Sequence, residues 1–497
     1  MALQFQKMTH SCLRKVLSQV QNMEQTQEVR IPEGMPGIDR VVSAWGQAVM
    51  RSKDWQGSSV QLSAGLLVWV LYVDEEGAIQ RAEGWIPFQI RWDLPQNCPD
   101  GQVRMLCIPR YVDARSVSAG KILIRAGVAA LAEAWCPDTV ETWKPEELPE
   151  DIQLRKATYP MQLPKEAGEK SFLLEETLTL PGSAPVPKRI VSWKLDPAVT
   201  DKKVLADKVV FRGNGNLHVL YEGQDGQLYA WDFELPFSQF AGLRESYSPD
   251  AQADVMPMVT NGELETADGG FQLKSAVAAQ YLVDDREMLE LTEDAYSPSR
   301  QLKLQQQMLE LPAVLDSPRE IIYGEQTLPG QADTIADVQL LPDFPRQHRE
   351  GDSMVLEQPG MLQMLYYDAG GALQSAVSRW EGKLTLPSHE ENAVEVMPLP
   401  AGQLQTVPGA DSVTVRAEVP VQLRICAGGG MPVVTAIEPE GELVRDPGRP
   451  SLVIRRQGGG GLWELAKATG STMDAIRQAN DLTTEPLPGQ LLLIPIP

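Results

Sequence analysis

Cysteine is scarce in this 497-residue chain: Cys12, Cys98, Cys107, Cys136 and Cys426, with no CxxC pair among them. An odd number without metal-ligand spacing argues against a disulfide framework or zinc site, and predicts reduced, buried thiols. Histidine is scarcer still, at four residues: His10, His218, His348 and His389. They are scattered and form no HExxH, so no metal centre is expected, and "HEE" at 389–391 reads as a polar loop. Positive charge is also short, with 44 Lys and Arg against 67 Asp and Glu, a net charge of −23. Nucleic acid is excluded as a partner on that balance, because phosphate contacts need clustered cations. Long apolar runs are missing as well. "LSAGLLVWVLYV" (62–73) is about half the length that spans a bilayer, so no transmembrane segment is expected. The opening "MALQFQKMTHSCLRKVLSQV" lacks the apolar stretch of a secretory signal, and "THS" before Cys12 is not a lipid-attachment context. Export by an ordinary route is not expected.

Catalytic constellations are equally thin. "SAGK" (118–121) has Ser-Lys spacing but sits in a predicted β-turn without companion motifs. Asp284-Asp285 and Glu175-Glu176 are adjacent, so on a strand they point to opposite faces and cannot converge for acid–base work. No GxSxG is present. The glycines at 458–461 lack the Lys-Ser/Thr of a phosphate loop, and Trp463 stands where a dinucleotide fingerprint needs glycine. The reading is a protein that is not an enzyme and needs no cofactor.

What is present is a repeat of roughly 150 residues. "GLLVWVLYVDEEGAIQRAEGWIPF" (65–88) aligns with "GNLHVLYEGQDGQLYAWDFELPF" (215–237). In both, a Leu-Tyr strand end is followed by Gly five residues later and by Pro-Phe, with Tyr72 and Pro87 matching Tyr221 and Pro236. A third copy, "GMLQMLYYDAGGALQS" (360–375), keeps Tyr366 and Gly371 but lacks Pro-Phe. Upstream, "VRIPEGMPGIDRVVSAW" matches "LTLPGSAPVPKRIVSW", and "LELPAVLDSPREIIYG" is the third version; downstream, "LCIP", "VMPM" and "VMPL" each precede a strand pair. Runs rich in Val, Ile, Leu and Tyr, broken by Gly, Asp and Pro, predict β structure throughout. "DAGG" supplies the positive-φ residues of a tight hairpin, and Pro-Phe predicts an edge strand. Trp69 and Trp231 are expected to be buried in strands. Helix is expected only at 11–24, where Leu13, Val16, Leu17 and Val20 share a face, and at the C-terminus. Segments 137–171, 284–308 and 438–451 read as connections.

The last stretch is different. Leu462, Leu465 and Ala466 share a helical face, and Gly470 is placed to close that helix. Ser471 and Asp474 have capping-box spacing before a second helix, and "LPGQLLLIPIP" is a turn and a strand. With "SLVIRR" in front, the order is βααβ in under fifty residues. Leu462-Trp463, Ala466-Lys467, Asn480 and "LPGQLLLIP" give residues 451–497 a strong resemblance to the LysM domain. That resemblance implies a groove for N-acetylglucosamine chains between two loops, here carried by Gly459, Gly460, Gly461, Leu462 and Trp463 and by Asn480, Asp481 and Leu482. Where the family has Gly-Asp-Thr, this chain has Gly459-Gly460-Gly461, which removes side-chain oxygens and moves the expected ligand from sugar toward protein.

The "VLY…G…PF" units in turn resemble the SPOCS domain, the spore-coat-associated module, with 217–240 the best match. The expected fold is mainly β: SPOCS-like modules at 24–138, 172–285 and 305–428, the third divergent, then LysM at 451–497. Several SPOCS-like units before one LysM is the arrangement of SipL-like spore morphogenetic proteins. The resemblance implies a non-enzymatic scaffold or adaptor in the mother-cell cytoplasm, at the forespore surface and spore coat. Its implied partners are coat proteins and a polymerising morphogenetic ATPase, met through LysM. Two alternatives rest on LysM: a wall protein binding peptidoglycan or a chitin-like glycan, and a wall hydrolase targeted by that domain, which lacks a catalytic constellation.

Overall fold

The repeat seen in the sequence is a repeat of strand pairing. In the computed structural model each unit is built from two antiparallel sheets. The structure describes all residues except 1–2, 4, 33, 35, 96–97, 99, 311–313, 388–392, 401, 403, 427–429, 444–447, 449, 459–460 and 497. The "HEE" loop therefore lies outside the described residues.

Module 1 comprises β1 (Phe5–Arg30), β2 (Ile38–Gln56), β3 (Ser59–Asp74), β4 (Ile79–Asp93), β5 (Gln102–Ser118) and β6 (Lys121–Pro145). Its sheets have the orders β1-β6-β5 and β2-β3-β4. Module 2 repeats this with β7 (Gln153–Thr179), β8 (Pro187–Leu205), β9 (Lys208–Gly223), β10 (Leu228–Gly242), β11 (Gln252–Ala267) and β12 (Gly270–Tyr296), in the orders β7-β12-β11 and β8-β9-β10. Module 3 is a fragmented version. It runs β13 (Arg300–Glu310), β14 (Val314–Asp316), β15 (Arg319–Pro329), β16 (Thr334–Pro342), β17 (Arg346–Glu350), β18 (Ser353–Tyr367) and β19 (Leu373–Pro387). It continues through β20 (Ala393–Pro398), β21 (Leu404–Pro408), β22 (Ser412–Cys426) and β23 (Gly430–Glu442). A single β15–β19 pairing, Tyr323 opposite Lys383, merges most of its strands into a nine-stranded sheet, and β13 and β23 form a separate pair.

The conserved offsets have local causes. Gly77, Gly226 and Gly371, each five residues after the tyrosine, sit at φ +84°, +79° and +77° in the hairpin turns, where a side chain is strained. In modules 1 and 3 an aspartate holds that turn. Asp74 Oδ1 accepts from the N–H of Glu76 and Ala78, and Asp368 Oδ1 from those of Gly370 and Ala372. In module 2 the role passes to Asp225, which accepts from Gln227 N–H and Tyr229 Oη–H. The tyrosines before the turns, Tyr72, Tyr221 and Tyr366, are core residues. Pro87 and Pro236 lie on β4 and β10, each at the end of a three-stranded order, as the edge reading predicted.

Four expectations change. Residues 11–24 are not helical: they belong to β1, which pairs with β6 from Phe5–Pro145 to Arg30–Lys121. The helical spacing of Leu13, Val16, Leu17 and Val20 was overridden by a long-range partner. Cys12 and Leu13 are both buried, because this strand is packed on both faces, while Val20 is exposed. Segments 137–171 and 284–308 are largely strand rather than connection, for β6 and β7, and likewise β12 and β13, run through them. Of their charged residues, Lys144, Glu290 and Lys303 are exposed, whereas Glu166, Asp284 and Asp294 are buried. Finally, Cys98 and Cys136 form a disulfide, because pairing of Gln102 with Trp135 brings the loop before β5 to the end of β6. Cys12, Cys107 and Cys426 stay free, and burial pushes the Cys107 thiol up to about 12. Trp69 is buried, but Trp231 is 36% exposed on the edge strand β10.

The modules are locked together. The outer halves of β1–β6 and β7–β12 form ribbons that pack with β13–β23 around Val140, Met161, Leu163, Leu289, Leu309 and Val433. An isolated bridge, Leu3 to Ile437, joins the first ribbon to the third. Buried glutamines link the modules at their bodies. Gln280 of module 2 accepts from Met105 N–H (2.8 Å) and donates to Met105 O (2.7 Å) in module 1. Gln47 of module 1 accepts from Leu195 N–H of module 2 (2.7 Å), and Gln363 of module 3 donates to Ala44 O of module 1 (3.3 Å). Trp69 and Trp193 meet across modules 1 and 2 with centroids 5.4 Å apart.

Between modules 2 and 3, Ala336, Leu365, Tyr367 and Leu373 join the core of module 2, and an ion pair adds to this apolar contact. His218 lies 2.7 Å from Asp232 and 3.0 Å from Asp337 of module 3. Burial works to lower the His218 pKa, but the two carboxylates outweigh it and hold the pKa at about 10. A raised imidazole pKa stabilises fully below the unfolded value of about 6.5, and the contribution is lost as pH rises through about 10. The stability gap between the native chain and His218→Gln is therefore expected to be widest below pH 6.5. It should close by about pH 10 in urea titrations, and a gap independent of pH would contradict the ion pair.

Candidate functional site: a small βααβ unit seated on module 2

The C-terminal residues form β24 (Leu452–Arg456), α1 (Leu462–Thr469), α2 (Met473–Ala479) and β25 (Leu491–Pro495). β24 and β25 pair antiparallel from Leu452–Pro495 to Arg456–Leu491. The βααβ order is the one read from the sequence. Leu462, Trp463, Ala466, Ile476, Leu492 and Ile494 fill its core, and Tyr296 of module 2 completes that core.

The helix ends show what replaced the missing caps. Gly461 occupies the N-cap of α1 and offers no side-chain acceptor. Instead the Leu462 N–H donates to Glu485 Oε2 at 3.1 Å, from the loop before β25. A carboxylate at this position satisfies an orphan donor and suits the positive end of the helix. Gly470 closes α1 at φ +63°, as expected. The second helix is capped by Thr472, whose Oγ1 accepts from Ala475 N–H, and not by a Ser471–Asp474 box. Ser471 is buried and donates to Pro495 O.

The sequence-derived ligand residues separate into three groups. Gly459 and Gly460 lie outside the described residues. Leu462 (1% exposed) and Trp463 (6%) are core side chains. Asn480 ties α2 to β25: its Nδ2 donates to Ile476 O and Leu493 O, and its Oδ1 accepts from Leu493 N–H. Leu482 is half-buried against the same core, and Asp481 is exposed at φ +50°. The two loops of the expected groove are thus spanned by Glu485, a residue the motif did not single out.

A second set of contacts was not legible at all. Asp294, on β12, accepts from Trp463 Nε1 (2.9 Å) and from Lys467 Nζ (2.6 Å). Burial raises its pKa, but the Lys467 and Trp463 hydrogen bonds prevail and hold the carboxyl below its ordinary value. Tyr296 donates to Ser471 O at 2.9 Å, and its ring meets Trp463 edge-on at 4.9 Å. Arg155 of β7 pairs with Glu464 at 2.9 Å. One face of α1 is therefore committed to module 2. A shallow groove of about 620 Å3 remains beside it, bounded by Arg155 and Leu154 on one side and Gly461, Met473 and Glu485 on the other. Among the described residues no cluster of His, Cys, Asp or Glu is placed to hold a metal, and no helix is long and apolar enough to cross a membrane.

The architecture defines a class: a tandem array of β modules that carries a small α/β unit seated on one of them. Within it, residues 187–267, which cover β8 to β11 of module 2, match the family model described as SipL, SPOCS domain. The chain thus carries a SipL-type SPOCS domain, which connects it with sporulation and the spore. No curated protein and no solved structure matches the chain.

Proposed function

We propose that the protein is a non-enzymatic scaffold of the spore envelope, acting at the forespore surface in the mother cell. The three β modules form its rigid base, and the LysM-like unit is the contact that recruits it to a polymerising morphogenetic ATPase and coat proteins. The observation that carries this reading is the seat itself. The βααβ unit is bonded directly to module 2, which contains the SPOCS match at 187–267, through Arg155, Asp294 and Tyr296 on the strands that flank that match. A recruiting unit held in one orientation transmits position, which a tethered unit does not.

Burial of Leu462 and Trp463 and the carboxylate of Glu485 across the loop mouth favour a protein ligand over an N-acetylglucosamine chain. The test is affinity purification of the tagged chain from sporulating cells, with and without residues 451–497. The proposal expects an ATPase of the coat base and coat proteins with the full chain, and their loss on truncation. Retention of the same partners by the truncated chain would refute recruitment through this unit. Pelleting with purified peptidoglycan, competed by chitin oligosaccharides, would favour the glycan reading instead.

A further inference from the structure

Where the three modules meet there is a cavity of about 270 Å3. The same element, taken three times, forms part of its wall: residues 106–109 of module 1, 255–259 of module 2 and 397–400 of module 3, the "LCIP", "VMPMV" and "MPLP" segments of the repeat, with residues 194–200 of β8 beside them. Each contributes a proline, Pro109, Pro257 and Pro398, with Met256, Met258 and Met397 beside them. A proline in these strands withholds an N–H, so the three segments cannot zip together and close the space. Methionine supplies an adaptable apolar surface. The lining also carries charge. Lys202 is neutralised by Asp254 at 3.0 Å and Lys194 by Asp196 at 2.7 Å. Arg319, at the start of β15, is exposed and has no carboxylate within ion-pairing distance among the described residues. An unpaired guanidinium beside apolar surface offers an anion a charge-assisted contact.

We propose that this cavity binds a small amphiphilic monocarboxylate, its apolar body among the proline and methionine segments and its carboxylate on Arg319. The site exists only when all three modules are assembled, so its ligand fastens them to one another. Ligand that binds the assembled state alone shifts unfolding to higher temperature as its concentration rises.

The experiment uses the full chain, with octanoate and 1-naphthoate as the aliphatic and aromatic probes and 1-octanol as the uncharged control. Calorimetry is expected to give one saturable site per chain for at least one carboxylate, with a parallel rise in Tm. The two probes decide between an aliphatic and an aromatic body. Arg319→Ala, an exposed position, should weaken the carboxylate about tenfold, the worth of one charge-assisted contact, and leave 1-octanol unchanged. Leu399→Trp should fill the space and abolish binding of all three; if it fails to fold, Arg319→Ala alone decides. No saturable binding of either carboxylate to the native chain, or equal binding by Arg319→Ala, overturns the proposal.

Discussion

Arg104→Ala is expected to cost about 3–5 kcal/mol of stability, the usual penalty for leaving buried charge without its partner. The Arg104 side chain is 3% exposed and holds two carboxylates from different modules. Its Nε lies 3.0 Å from Glu133 Oε2 in module 1, and its Nη1 lies 2.9 Å from Asp254 Oδ2 in module 2. The network continues outward. Lys15 reaches both Glu133 (3.2 Å) and Glu395 of module 3 (2.5 Å), and Arg424 of module 3 reaches Asp284 of module 2 (2.8 Å). Burial raises the Glu133 pKa, but Arg104 and Lys15 more than reverse this and bring it to about 2. Such a depressed carboxylate stabilises above its unfolded value, about 4.3, and the gain is lost as pH falls through about 2. Equilibrium unfolding in urea at neutral pH measures the loss. A change below about 1 kcal/mol would show that water reaches the network and screens it.

Leu462→Asp or Ile476→Asp is expected to unfold the C-terminal unit and abolish partner capture, while the β modules keep their cooperative transition. Both side chains are fully buried (1% and 0% exposed). Each substitution forfeits about 1.5–3 kcal/mol of apolar burial and adds the larger cost of an unpaired charge in a core. A unit of this size has no reserve against that loss. Helical circular dichroism and limited proteolysis of residues 451–497 would report the unfolding. Captured partners from the same preparations report recruitment. Unaltered capture by an unfolded unit would place the partner surface on the modules.

Strand content and the repeat were legible because their causes are local. A glycine at positive φ five residues after a core tyrosine is a turn requirement, and it survives in all three units. The βααβ order was legible for the same reason: Gly470 and the apolar spacing of α1 act within a few residues. What escaped depended on distant partners. Leu13, Val16, Leu17 and Val20 mimic a helix until β6 is placed beside them. Cys98 and Cys136 look unpaired until β5 registers against β6. Asp294 and Tyr296 lay in a segment that reads as a spacer, yet they seat Trp463 and Lys467. Glu485 lies outside the motif, and only the fold shows that it caps α1.

The bridge between Leu3 and Ile437 has a consequence for synthesis. It joins the first module to the third, so the three ribbons can pack together only once β23 has left the ribosome. Until then Val140, Met161 and Leu163 wait for Leu309 and Val433, and Arg104 and Lys15 share a hub with two members missing. Modules made early can pair their own strands but must hold open an apolar and charged flank. Packing of the three ribbons is thus a step that waits for β23, the strand that carries Val433 and Ile437.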